Sequence, residues 1–333
     1  MVRKALISIL LAVTLGFGQS AYGWRIFPSL GGSRSGTAAL TFLKIGVGAR
    51  GAGLAGAYSA TCTDAFALYH NPAGLVWNEK DNVAFSYRFW VADLNHSFIG
   101  ITRHLNDNNV LGISLITLTT DPLPVTDEYH PTGTGETIDF SDFALGISYS
   151  VKLTDYFSSG LTFKYAQESL GDLRMRGGLI DLGTLYETGF YGTRFAINMA
   201  NFGDRVKPGG SYKYTTVSGE IIDKSYQSSS PPTVFKVSAA FEPISDGQNT
   251  LTWVTQLNHP TDNAENIAVG LEYTFNKRLF LRSGYLINSK VENFSIGGGF
   301  SFDLKVAEGI FDYSYTGMDD LGGTSTFSVV LGF

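Results

Sequence analysis

The sequence predicts an all-β protein, an antiparallel transmembrane β-barrel of about fourteen strands that follows an N-terminal hatch or plug segment. Aromatic residues make up 14% of the chain and charged residues only 16%, against about 25% charged residues in a typical soluble protein. No stretch beyond the N-terminal region has the ~18 uninterrupted apolar residues that a transmembrane helix needs. From residue 82 onward, apolar residues instead alternate with small or polar ones in segments of about ten residues, as in barrel strands.

The first 23 residues have the pattern of a secretory signal peptide. Arg3 and Lys4 precede an apolar run over residues 5–17, and Ala21-Tyr22-Gly23 is a suitable cleavage site. The apolar run is shorter than a membrane span, so an uncleaved anchor is the less favoured alternative. We therefore assign residues 1–23 to the signal peptide, 24–81 to an N-terminal extension and hatch, and 82–333 to the barrel.

Residues 42–77, which we call the hatch segment, are rich in glycine and alanine and fit neither a clean strand nor a loop. The glycines at positions 46, 48, 51, 53 and 56 let the backbone pass close to other surfaces. Thr63 or Asp64 can cap a short helix, and Pro72 forces the chain to turn at Asn71. The sequence therefore predicts a compact packing module in front of the strands.

The predicted strands are separated by two kinds of connection. Within a strand such as 139–153, Leu145 and Ile147 share one face while Gly146 and Ser148 share the other. Tight turns alternate with longer polar connections, chiefly 120–138 and 203–231, an asymmetry typical of outer-membrane barrels, and the even strand count predicts both termini on the periplasmic side. The predicted strands are 82–90, 95–105, 109–119, 139–153, 156–168, 174–187, 193–202, 232–243, 249–258, 265–275, 279–289, 292–302, 306–316 and 324–333.

The last predicted strand ends the chain on Phe333, with Phe327, Val329 and Leu331 on the same face. A final amphipathic strand that ends in an aromatic residue resembles the signal by which the barrel assembly machinery recognises its clients. Together with the signal peptide, this strand predicts a multi-pass β-barrel in the outer membrane of a bacterial cell, in contact with outer-membrane lipid after signal-peptide cleavage.

No pattern in the sequence predicts a catalytic residue, a cofactor-binding residue or a metal ligand, so we expect a non-enzymatic protein without a cofactor. HExxH, CxxC, GxSxG and P-loop patterns are absent, and the net charge of −6 offers no basic face for nucleic acid. Polar residues on the inferred inner face suit a network that stabilises the barrel or, as the less favoured alternative, a substrate route. They are Arg88, Lys152, Lys164, Asp181, Arg194, Lys236, Glu272, Arg282 and Asp312.

The hatch segment closely resembles the N-terminal signature of the PorV/PorQ family. In that family a Phe-Leu pair, a run of small residues with an Arg and an acidic residue precede an aromatic-x-Asn-Pro-Ala-Gly/Ala-Leu motif. The matching positions here are Arg50, Gly56, Asp64, Tyr69, Asn71, Pro72, Ala73 and Leu75. Asp181-Leu182-Gly183, followed by Leu185-Tyr186, is similar to a second landmark of the family.

The resemblance implies the fold of FadL, the long-chain fatty-acid channel, in which an N-terminal hatch plugs the lumen. PorV-like members are non-enzymatic components of type IX secretion. They bind the C-terminal signal domains of cargo proteins and pass them from a translocon to a cell-surface attachment complex. PorQ-like members belong to that attachment machinery.

Two functions follow as hypotheses. The first is a role in protein secretion or cell-surface attachment, with cargo domains or subunits of the translocon or attachment complex held by the long loops. Candidate aromatic and proline contacts there are Tyr129, Pro131, Tyr212 and Tyr214. The alternative is a FadL-like passive channel for long-chain fatty acids or other hydrophobic small molecules. Its ligand pocket would be built from Phe66, Leu68, Tyr69 and Leu75.

Overall fold

Fourteen antiparallel strands close into a barrel, which confirms the predicted fold class. The computed structural model describes residues 35–333, so the predicted signal peptide lies outside the described residues. In chain order the strands are β1 (Asn82–Phe89), β2 (Asn95–Asn106), β3 (Asn109–Thr119), β4 (Leu123–Pro124), β5 (Thr137–Ile138), β6 (Phe140–Thr154), β7 (Phe157–Leu170), β8 (Leu173–Glu187), β9 (Arg194–Gly203), β10 (Ser211–Thr215), β11 (Ile221–Ser225), β12 (Val234–Ser245), β13 (Thr250–Pro260), β14 (Asn266–Phe275), β15 (Leu279–Ile287), β16 (Phe294–Asp303), β17 (Glu308–Gly317) and β18 (Gly323–Gly332). Each barrel strand pairs with the next barrel strand along the chain, and β18 pairs with β1 to close the ring.

The alternation of residue types decides which face of the barrel each side chain occupies. In β6, Leu145 and Ile147 are 44% and 52% exposed on the outer face, whereas Ala144 and Ser148 are buried on the inner face. An outer surface of large apolar side chains suits contact with lipid chains. Because this period of two is read directly from the sequence, every barrel strand begins and ends within two residues of its predicted position.

The connections give the barrel a long-loop end and a short-turn end. The long-loop end carries 120–139 and 204–233, whereas the connections at the short-turn end, such as 155–156 and 246–249, are brief. Each long loop contains a two-stranded hairpin outside the barrel sheet, β4 with β5 and β10 with β11. The sequence analysis did not predict these hairpins.

The hatch segment lies inside the ring of strands. The α-helix Ala49–Gly53 packs against β15 to β18, and the 3₁₀-helix Pro72–Trp77 packs against β6, β7 and β8. A further 3₁₀-helix, Thr41–Lys44, and a short α-helix, Ala67–His70, complete the segment. Short 3₁₀-helices also occur in the connections at Val91–Asp93 and Asp319–Leu321. Among the helices in residues 35–333, none has the length and apolarity that a membrane crossing requires.

The described chain enters the barrel from the long-loop end. Ala38 forms a parallel bridge with Ser230 in the loop 204–233, and the backbone N–H of Leu40 donates to Glu168 Oε2 at 2.9 Å. The strand count correctly predicts that β1 begins and β18 ends at the same, short-turn end. Residues 38–40 lie at the long-loop end because the hatch segment crosses the lumen once, and the N-terminus itself lies outside the described residues.

Candidate functional site

The Asn-Pro-Ala turn of the hatch segment contacts the Asp-Leu-Gly segment of β8. Asn71 is fully buried. Its Nδ2 donates to the carbonyl oxygens of Ser59 (3.1 Å) and Thr184 (3.2 Å), and its Oδ1 accepts from the N–H of Ala73 (3.2 Å). A Cβ on Gly183 would lie only 2.0 Å from Asn71 Oδ1. The two motifs on which the family resemblance rests therefore form one packing contact.

Other glycines on the inner face also bring the hatch backbone close to the wall. A Cβ on Gly160 would lie 2.4 Å from the backbone nitrogen of Ala73, and one on Gly284 would lie 2.4 Å from the carbonyl carbon of Leu54. Contacts this short are not tolerated in packed interiors, so any larger residue would have to displace the hatch or the strand. The hatch segment and the wall are thus fitted to each other at several points.

A buried ionic network joins the hatch segment to three strands. Arg50 Nε and Nη2 donate to the two carboxylate oxygens of Glu272 in β14, at 2.9 and 2.7 Å. Arg282 in β15 donates to the same carboxylate and to Asp312 in β17. The Tyr58 ring centroid lies 5.2 Å from Arg50 Cζ. Two cations and two anions balance in this network, and the bidentate geometry is that of a strong charge-assisted pair.

The remaining motif residues shape the hatch segment. Asp64 accepts a hydrogen bond from the N–H of Phe66 at 2.9 Å, just before the short α-helix, which has no side-chain cap of its own. Gly56 has a φ of 84°, a left-handed conformation that favours glycine. Pro72 begins the 3₁₀-helix that contains the buried Leu75. These residues fix the path of the backbone.

The residues of the candidate ligand pocket lie in two different environments. Phe66, Leu68 and Leu75 are at most 2% exposed and belong to a closed core, where the rings of Phe66 and Phe98 are 5.4 Å apart. Only Tyr69 borders a cavity, and its hydroxyl donates to the Leu43 carbonyl at 3.0 Å. The sequence does not separate these four residues, because all are large apolar or aromatic residues of one short segment.

That cavity, of about 830 Å³, lies between the hatch segment and the long-loop end. Its volume is in the range of ligand-binding pockets. Its wall mixes hydrocarbon and amide side chains. Apolar surface comes from Ile45, Trp90 and Phe140, and amide groups come from Asn258, Asn266 and Asn288.

Basic side chains gather around Tyr69 at the inner end of the cavity. The Nζ atoms of Lys164 and Lys236 lie 6.0 and 5.7 Å from the centroid of its ring. Lys164 forms an ion pair with Asp181 and donates to Asn201 Oδ1 at 2.8 Å. Lys236 has no hydrogen bond or ion pair to any residue in the range 35–333.

Arg88 is a further basic residue that lines this cavity, and it is only 4% exposed. Its Nε donates to Thr326 Oγ1 at 2.7 Å, and its Cζ lies 5.7 Å from the ring centroid of Trp90. Burial, followed by the charge of Lys236, lowers the pKa of the neighbouring His70 in the hatch to about 3, and the charge of Arg88 adds to this effect.

A cleft in the barrel wall meets the cavity at Lys164. The register between β8 and β9 shifts between Ile180 and Leu182, and Asn201 on β9 has a φ of 58°. Beside this irregularity lies a cleft of about 360 Å³, whose outer side is formed by residues such as Phe202. A β-bulge of this kind bends a strand and interrupts its ladder.

The candidate partner contacts lie in the exposed long loops. Tyr129 is 85% exposed, and Tyr212 and Tyr214 on β10 are 40% and 41% exposed. Pro131 is also exposed. The rings of Tyr212 and Tyr226 pack at an angle of 41°, with centroids 5.3 Å apart. The structure places these residues at one end of the barrel, in two separate loops.

Cys62 is buried in the hatch segment. Burial raises the pKa of its thiol well above the usual range, and the nearby Asp64 carboxylate adds to this shift. Within residues 35–333, no group of three or more His, Cys, Asp or Glu side chains is arranged to hold a metal ion.

Two features of the site are not predicted from the sequence. One is the set of inner-face glycines that touch the hatch, including Gly160 and Gly284. Their signal was present, because glycine recurs at inner-face positions of the alternating strands. The other is the pairing state of the basic residues. Lys164 and Lys236 both fall on the inner face, but the sequence does not show which of them has a carboxylate partner.

Comparisons with known proteins agree with this architecture. The family model described as "Type IX secretion system protein PorV" matches residues 31–262. Comparison with curated proteins gives no significant match.

Several solved structures have the same fold. The "CymD monoaromatic hydrocarbon channel" is 14% identical with a TM-score of 0.59, over 86% of this chain and 96% of that chain. The Ralstonia pickettii toluene transporter TbuX is 12% identical with a TM-score of 0.53, over 84% and 96%. A Pseudomonas aeruginosa FadL homologue is 12% identical with a TM-score of 0.51, over 86% and 98%. At these identities the likeness shows the shared fold alone.

Proposed function

Because this chain is an outer-membrane β-barrel that belongs to the PorV family of type IX secretion proteins, we propose that it acts in protein secretion or cell-surface attachment by binding a partner protein. The partner is a cargo domain or a subunit of the translocon or attachment complex. The protein works without catalysis, as a docking platform whose hatch keeps the barrel rigid.

The observation that carries this proposal is the contrast between the hatch, which is fixed to the barrel wall, and the exposed loops. The hatch is tied to the wall by the Asn71 hydrogen bonds, the Arg50 ion pair and the close contacts at Gly160. The long loops, in contrast, extend their hairpins beyond the barrel sheet. Exposed tyrosines on such loops are suited to protein contacts, because aromatic residues are enriched at interfaces.

The test replaces the loop tyrosines in the producing bacterium and measures the surface display of secreted proteins. We expect the triple variant Tyr129→Ala, Tyr212→Ala and Tyr214→Ala to reduce display by about tenfold or more, the effect of losing one strong interface contact. The matched control is Tyr156→Ala with Tyr191→Ala, because these tyrosines are also exposed, at 55% and 59%, but lie at the short-turn end. Normal display in the triple variant, at an equal level of folded barrel, would count against the proposal.

A second function, passive passage of hydrophobic small molecules, is favoured by one observation. The cleft beside the β8–β9 irregularity and the cavity both border on Lys164, so the cavity lies next to an interruption of the barrel wall. Proteins of the same fold are described as hydrocarbon channels. Deleting the gene separates the two functions: normal display of secreted proteins with impaired uptake of a long-chain fatty acid would favour the channel.

A further inference from the structure

The described chain begins at the edge of the cavity. Ser35, the first described residue, is exposed and borders the cavity at the long-loop end. From there the chain runs along the wall, where Ala38 pairs with Ser230 and the N–H of Leu40 donates to Glu168 Oε2 at 2.9 Å. Residues that precede Ser35 in the sequence are therefore attached beside the cavity.

Two neighbouring carboxylates on the cavity wall have no cationic partner in residues 35–333. Asp142 on β6 and Glu168 on β7 lie directly opposite each other in the ladder, and both border the cavity. Like charges in this arrangement destabilise a sheet. Asp142 accepts only from the N–H of Ser169, at 3.3 Å, and Glu168 accepts only from that of Leu40. This part of the wall therefore suits a positively charged occupant.

The basic residues of the cavity wall do not neutralise this carboxylate pair. Lys44 forms an ion pair with Asp262 at 2.7 Å, and Lys164 forms one with Asp181. Within the described range, neither carboxylate of the pair accepts a hydrogen bond from a Lys or Arg side chain.

The wall beside the carboxylate pair is apolar. Phe140 precedes Asp142 by two residues on β6 and therefore shares its face of the sheet. Trp90 and Leu94 border the cavity from the connection between β1 and β2. Covering apolar surface of this kind is favourable. An occupant that fits both parts of the wall has apolar and basic groups and no carboxylate side chain.

Residues 24–34, between the predicted cleavage site and the described chain, have this composition. The segment has no acidic residue, and its apolar and basic residues are Trp24, Ile26, Phe27 and Leu30, and Arg25 and Arg34. Cleavage after Gly23 adds an α-amino group that is largely protonated at neutral pH. An extended segment of this length reaches up to about 36 Å, and Gly31 and Gly32 allow it to turn back.

We propose that residues 24–34 of the mature chain fold back into the cavity and cover it. The basic groups of the segment lie beside Asp142 and Glu168, and its apolar side chains cover Phe140 and Trp90. Any other ligand of the cavity must first displace the segment, which lowers the apparent affinity for that ligand. The inference concerns the cavity and not the loop tyrosines, so it goes beyond the proposed function.

The first measurement is the labelling rate of one cysteine on the cavity wall of the purified barrel in detergent. Leu94→Cys is combined with Cys62→Ala, so that a sulfonated maleimide reagent can react only at the cavity. We expect deletion of residues 24–33 to speed labelling by about tenfold or more. A segment that occupies the cavity for about nine-tenths of the time slows the entry of the reagent by this factor.

The role of the carboxylate pair is tested in the chain that keeps residues 24–33. Asp142→Asn with Glu168→Gln should also speed labelling, because the segment loses the charges that hold its basic groups. The matched control is Asp127→Asn with Glu136→Gln, since these carboxylates are exposed in the loop 120–139 at the same end of the barrel and do not border the cavity. The control should leave the labelling rate unchanged.

A disulfide tests the position of the segment without a deletion. In the Cys62→Ala background, Phe27→Cys with Phe140→Cys should form a disulfide within one chain, because the two side chains are brought into contact. Phe27→Cys with Tyr129→Cys, on the exposed loop 120–139, is the control and should not form one. Mass spectrometry of the digested protein identifies the linked peptides.

Equal labelling rates with and without residues 24–33 would overturn the inference. A disulfide to position 129 instead of position 140, or disulfide-linked dimers, would also overturn it. So would a mature chain that begins after residue 30, as measured by the intact mass of the purified barrel. If the deletion variant fails to fold, the disulfide between positions 27 and 140 decides the result.

Discussion

Gly160 and Gly183 face the Asn-Pro-Ala turn from two neighbouring strands, β7 and β8. Between them, Asn71 satisfies carbonyl groups of both the hatch and the wall. At the scale of the residue, the family motif is therefore explained by space and hydrogen bonding. Asn71 makes the hydrogen bonds, and the two glycines, which lack a side chain, allow the turn to approach the strands closely.

Substitution of these glycines should destabilise the barrel. We expect Gly160→Ala and Gly183→Ala each to lower the free energy of unfolding by about 1–3 kcal/mol, the usual cost of overpacking. The measurement is urea unfolding of the refolded barrel, followed by heat-modifiable migration on a gel. Gly178→Ala on β8 is the control, because a Cβ there meets no atom within 4 Å. Equal free energies of unfolding for all three variants would show that Gly160 and Gly183 are not in close contact with the hatch.

Cys62 offers a second test at the residue scale, since it is the only cysteine in the sequence. Its side chain is fully buried, and burial raises the pKa of the thiol, so little thiolate forms at neutral pH. We expect no labelling by a maleimide reagent in the folded barrel and complete labelling after denaturation. Rapid labelling of the folded protein would mean that the hatch opens in solution.

At the scale of the element, the ionic network fixes the helix Ala49–Gly53 against the wall. Glu272 is the centre of this network, because it accepts from both Arg50 and Arg282. Removing its charge leaves the buried Arg282 and the partly buried Arg50 with only Asp312 to balance them. The position of the hatch in the barrel therefore depends on this ion pairing as well as on the close fit between the hatch backbone and the wall.

Glu272→Gln is therefore expected to cost about 3–5 kcal/mol of stability, the penalty for leaving a buried charge uncompensated. Urea unfolding provides the measurement. Arg278→Gln is the control, because its pair with Asp303 is about 70% exposed on both sides and such pairs contribute about 0–1 kcal/mol. Similar losses in the two variants would contradict the account. A double variant that adds Arg50→Gln should recover part of the loss, since the two sites are coupled.

At the scale of the whole molecule, the sequence predicts the barrel well and the cavity poorly. Alternation over residues such as Leu145 to Ser148 directly gives the face, number and ends of the strands, because the side-chain period of a strand is two. The cavity depends on which strands lie opposite each other across the lumen. Arg88 on β1 and Lys236 on β12 are far apart in sequence, and only the closed ring places them around Tyr69.

The two ends of the barrel also differ in a way that only the whole fold explains. The hatch crosses the lumen from the long-loop end, where Ala38 pairs with Ser230, to the short-turn end, where Trp77 Nε1 donates to Ser158 Oγ at 2.7 Å. The 3₁₀-helix Pro72–Trp77 packs against β6, β7 and β8, while the cavity and both loop hairpins lie toward the long-loop end. Partner binding is therefore expected at the long-loop end.

Site-specific photo-cross-linking in the intact bacterium tests this central claim most directly. A photoreactive amino acid is placed at Tyr214 on the loop hairpin and, as the control, at Tyr156 at the short-turn end. We expect an adduct from position 214 that contains a secreted cargo domain or a type IX secretion subunit, identified by mass spectrometry, and no such adduct from position 156. An adduct of that kind from position 156 alone, or none from position 214 in actively secreting cells, would contradict it.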